Sequence, residues 1–65
     1  MKNLIKNTLI DHARAAIAKH KINVEVLMEN PQGVAEHPDI MATIEKEIEI
    51  ISKYNDQIEV LKRHF

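Results

Sequence analysis

Sixty-five residues make one domain at most, 45% of them apolar, with Tyr54 and Phe65 as the only aromatics and a formal net charge of −1. This is near the size at which a lone hydrophobic core needs staples or a partner. With no cysteine there is no disulfide to help, which is compatible with a reducing compartment. One Gly, two Pro and a charged fraction of 29% favour helices with aliphatic seams over strands or disorder.

The opening stretch, MKNLIKNTLIDHARAA, lacks an uninterrupted apolar run followed by a small-residue cleavage site. Nothing approaches the ~20 apolar residues that span a bilayer. The expectation is a soluble, cytoplasmic protein that does not enter a membrane.

In chain order, the first element is a helix over about 3–30. At 100° per residue, Ile10, Ala13, Ile17, His20, Val24 and Leu27 fall on one stripe at alternating spacings of three and four. Leu9, Ala16 and Met28 flank it.

The only cluster of breakers follows, in NPQGVAEHP. Pro31 disfavours helical geometry at Asn30, Gly33 permits a positive φ, and Pro38 suits the first turn of a new helix, with Asp39 facing the positive end of its dipole. A loop over about 31–37 is expected, short enough to fold the two flanking segments into an antiparallel hairpin.

The second helix is expected over about 38–64. Its stripe holds Ile40, Ile44, Ile51, Tyr54, Ile58, Leu61 and Phe65, with Met41 and Ile48 beside them, and both segments have heptad-like seams. Facing residues should then have numbers summing to about 68. That rule sets His20 near Ile48 and Glu47, Ala13 with Asn55, Ile17 with Ile51, and Ile10 with Ile58.

Such a hairpin has more apolar residues than one seam can use: Ile5, Ile22, Val26, Ile50 and Val60 are left over. A second copy is the simplest cover, giving a homodimeric four-helix bundle. The self-association interface is read as Ile10, Ile17, Val24 and Leu27 of the first helix with Ile44, Ile48, Ile51, Tyr54, Ile58 and Leu61 of the second. Charge bears on orientation, for residues 1–21 sum to +4, residues 22–51 to −6 and residues 52–65 to +1. An antiparallel dimer sets the basic end of one copy beside the acidic end of the other.

Three polar residues sit on or beside the stripes: His20, Glu47 and Asn55. His20 and Glu47 are close enough in level to share a hydrogen bond or ion pair, and half-buried polar groups of this kind, an in-seam asparagine included, commonly fix register at some expense of stability. A histidine beside a carboxylate also suits a proton or metal site. However, neither helix has the Glu-x-x-His spacing of carboxylate-bridged bundles. Glu36, His37 and Asp39 gather at the loop, where Pro38 and the capping role of Asp39 account for most of the pattern, so no metal or other cofactor is expected.

Catalysis finds little support. There is no cysteine nucleophile and no glycine-rich phosphate loop, and Ser52 is the only serine. The expected role is that of a non-enzymatic structural or interaction protein, binding itself or a helical partner. The alternative is a Rop-like nucleic-acid-binding regulator using the basic terminal end. Against it stand the scatter of basic residues over several helix sides, the acidic half and the scarcity of aromatics.

As a whole, NPQGVAEHPDIM followed by IEKEIEIISKYNDQIEVLKRHF resembles short proteins encoded by T4-like phages of marine bacteria. The resemblance implies an accessory phage protein acting in the cytoplasm of an infected cell. It brings no catalytic or ligand residue with it.

Overall fold

The structure, a computed structural model, describes residues 1–29 and 39–65. They form two α-helices, α1 (Lys2–Glu29) and α2 (Ile40–His64), packed antiparallel along their length into a rod of 48 × 15 × 13 Å. Asn30 and the loop expected to follow it, with Glu36, His37 and Pro38, lie outside the described residues.

The start of α2 is fixed by Asp39. Its carboxylate accepts from the Ala42 backbone N–H at 2.9 Å, which satisfies one of the donors that a helix N-terminus leaves without a partner. Thr43 adds a hydroxyl bond to the Asp39 carbonyl at 3.2 Å. At the other end Lys62, Arg63 and His64 occupy the last turn, where positive charge favours the negative end of the dipole. In contrast, α1 has no acidic residue in its first turn and no basic residue in its last. Lys2 and Lys6 stand at its positive end and Glu25 and Glu29 at its negative one, the reverse of what its dipole favours.

Between the helices runs a seam of heptad type. Ala13 is fully buried and Ile10 is 6% exposed, and these two are the only buried residues among those described. Ile17, Val24 and Leu27 of α1, and Ile40, Ile44, Ile51, Tyr54, Ile58 and Leu61 of α2, are half-buried. An alanine at the tightest point lets the backbones approach, and the isoleucine one turn away fills the space beside it.

One level of the expected register is corrected. His20 meets Glu47, numbers that sum to 67, and the Tyr54 ring meets that of His12, numbers that sum to 66, so the facing levels fall one to two below the expected sum of 68. Tyr54 continues the alternation of four and three that runs Glu47, Ile51, Tyr54, Ile58, so it takes the inward position and Asn55, one residue on, is turned out to solvent. Asn55 therefore has no part in the hairpin seam. Ile48 is displaced for the same reason and is 46% exposed beside Glu47.

Ile10→Ala removes the most buried large side chain of this seam and should cost about 2–3 kcal/mol in chemical denaturation. Asn55→Ala should change stability by less than about 0.5 kcal/mol. A larger loss for Asn55→Ala would mean that the amide is held in the seam after all.

Candidate functional site: a polar seam and an uncovered apolar face

Two features of the hairpin could carry function. One is the polar cluster inside the seam, and the other is the apolar surface that the seam leaves in water.

His20 on α1 and Glu47 on α2 point at each other, with Nδ1 and Oε2 2.5 Å apart and side chains only 18% and 20% exposed. Asn23, one turn beyond His20, directs its Nδ2 at both carboxylate oxygens at 3.4 Å. The His20 bond is the main reason that the Glu47 carboxyl is held below its ordinary value near 4.5; partial desolvation opposes it, and Asn23 and the nearby Lys19 add to the lowering. An ionised carboxylate only accepts, so the short contact requires the His20 proton to sit on Nδ1.

The sequence pattern paired His20 with Glu47 but passed over Asn23. Its signal was available: Asn23 is three residues after His20, hence on the same side of α1. Among the described residues no group of three or more His, Cys, Asp or Glu side chains converges. The cluster is suited to holding alignment, since sliding either helix by one turn would leave a half-buried carboxylate facing aliphatic side chains.

Further along the same flank, His12 sets its ring against Tyr54 edge to face, with centroids 5.8 Å apart at 73°. The Lys53 ammonium lies 5.0 Å from the centre of the Tyr54 ring. Tyr54 is thereby clasped from both helices.

The uncovered surface is large. Leu4, Ile5, Leu9, Ile22, Val26 and Met28 of α1, Met41, Ile48 and Val60 of α2, and the terminal residues Met1 and Phe65 are all exposed. Of the residues read as a self-association interface, Ile48 belongs to this set. Ile10 is buried and the others are half-buried in the hairpin's own seam. At the end where the termini lie, Ile5, Leu9, Leu61 and Phe65 form an apolar groove of about 530 Å³ flanked by Lys2 and Lys6. The groove continues over Leu9 to Val60. On the opposite flank the equivalent hollow is polar, lined by Asn7, Asp11, Arg14 and Lys62 around Ile10.

Among the described residues no helix is long and apolar enough to cross a membrane. No protein-family model matches the chain, and comparison with curated proteins and with solved structures gives no match.

The lowered Glu47 value sets the direction of a pH effect. A carboxyl that binds its proton less readily when folded contributes stability above its unfolded value, and that contribution is lost as pH falls through the folded value. The stability difference between wild type and Glu47→Gln should thus be full above about pH 5 and shrink as pH drops below 4.5. Parallel acid limbs for the two proteins in pH-dependent denaturation would contradict this.

Proposed function

We propose that the protein is a non-enzymatic helical interaction protein whose working form is a self-associated bundle, with a second hairpin covering the apolar face. The observation that carries the reading is one of area. A compact monomer of this mass, 7.5 kDa, exposes about 4,200 Å². This chain exposes 5302 Å², an excess of about 1,000 Å². A stable interface of standard size removes about 800 Å² from each partner, so the excess is what one such contact would cover.

The composition of the excess points the same way. Eleven large apolar side chains among the described residues are exposed, more than a surface that meets only water commonly carries. Two rods of this thickness laid side by side place their half-buried seams toward a common core, as in a four-helix bundle. An accessory protein of a T4-like phage, which the resemblance implies, is compatible with such a role. No feature of the polar cluster calls for a bound metal, since two side chains and an amide already satisfy one another.

If association stabilises the fold, the melting temperature depends on protein concentration by mass action. Thermal unfolding followed by circular dichroism should shift upward by several degrees between 2 and 200 μM, given as about two decades of concentration. A midpoint independent of concentration over that range would sink the proposal.

A further inference from the structure

We propose that one flank of the hairpin is a docking groove for an acidic amphipathic helix of another protein, laid along the line between α1 and α2. This goes beyond self-association and does not depend on it.

Contacts trace the flank along the rod. It begins in the apolar groove of Ile5, Leu9, Leu61 and Phe65, edged by Lys2 and Lys6, and passes along Gln57 and Val60. Next come His12 and Lys53, which meet at the Tyr54 ring from α1 and α2. Half-buried Ala16 and Ile50 lie seven residues from Leu9 and Gln57, and so on the same side. The stretch ends at Lys19 and Asn23 beside Glu47, with Lys46 seven residues before Lys53 on the facing rim.

The floor is thus largely apolar and the rims are basic. Lys19 stands on the α1 rim and Lys46 and Lys53 on the α2 rim, all exposed, and among the described residues none of the five lysines of this flank is in an ion pair. Glu47 is already held by His20 and Asn23, while Glu49 and Asp56 stand beyond the α2 rim toward the back of that helix. From the level of Ile5 to that of Lys19 the trough runs about 21 Å, some four turns of helix. An amphipathic helix lays its apolar stripe on such a floor and sets carboxylates on either side of it over the lysines.

A second copy does not fit here. His12 and Lys53 lie on one side of the middle of the rod and Lys19 and Lys46 on the other, so a two-fold contact through this flank sets basic groups against basic groups in either orientation. Self-association is left the opposite flank, that of Arg14 and Lys62, where the same seven-residue spacing places the exposed Met28, Met41 and Ile48. A nucleic acid answers the charge but leaves Ile5, Leu9, Val60 and Phe65 in water. An acidic helix answers both.

The probe is a synthetic peptide of about three heptads with leucine at a and d and glutamate at e and g, compared with a counterpart that has lysine at e and g. Titrated with the full chain and followed by fluorescence anisotropy, the acidic peptide should bind at least about tenfold more tightly than the basic one, and less tightly as salt is raised. The double variant Lys46→Glu, Lys53→Glu changes two exposed side chains and should leave helicity intact by circular dichroism. It should weaken the acidic peptide about tenfold and strengthen the basic one. Equal binding of the two peptides, or binding of neither, would overturn the proposal, as would tighter binding of a double-stranded RNA or of anionic lipid vesicles than of the acidic peptide. Mass in solution without peptide is a separate readout: a monomer that prefers the acidic peptide sinks self-association and leaves this groove standing, whereas a dimer without that preference sinks only the groove.

Discussion

Two α-helices joined as a hairpin can touch along a single line, and the side chains near that line are the only ones they shield from water. Here the line is well made, yet it buries only Ile10 and Ala13 among the described residues and leaves the rest of the seam half-covered. Every other property of the molecule can be read as a response to that shortage. The rod is thin, so each helix has only one neighbour in the hairpin. Consequently α1, whose apolar residues spread over a wider arc than those of α2, is left with Ile5, Leu9, Ile22 and Val26 exposed.

A seam of interchangeable isoleucines and valines also specifies its own alignment poorly, because a shift of one heptad exchanges one aliphatic residue for another. The polar cluster removes that freedom. Glu47 is satisfied only where His20 and Asn23 reach it, and the burial is partial enough that the carboxylate escapes most of the desolvation cost of a fully enclosed one. Alignment and stability are thus divided between different residues: the carboxylate selects the level, and the aliphatic contacts supply the attraction.

Much of this was readable from the residues, and what was not has physical causes. The spacing of Ile10, Ala13, Ile17, His20, Val24 and Leu27 announces a helix with one inward stripe, and the breakers between Asn30 and Pro38 announce its end. The register is harder, because a rule that counts outward from the loop inherits any error in where the helices stop. An offset of one residue was enough to exchange Tyr54 for Asn55, since neighbouring residues on a helix are turned about 100° apart. Asn23 was missed because an asparagine beside a seam has no pattern of its own until the carboxylate across from it is placed. Ile5, Ile22 and Val26 could be named from the sequence as leftover aliphatics, and they are exposed in the hairpin.

A second copy is needed only if the hairpin is insufficient by itself. Sedimentation equilibrium at micromolar concentration, on protein shown by circular dichroism to be helical, answers this directly. The expected result is a mass of about 15 kDa, twice the 7.5 kDa of one chain. A fully helical species that remains at the mass of a single chain throughout that range would contradict it.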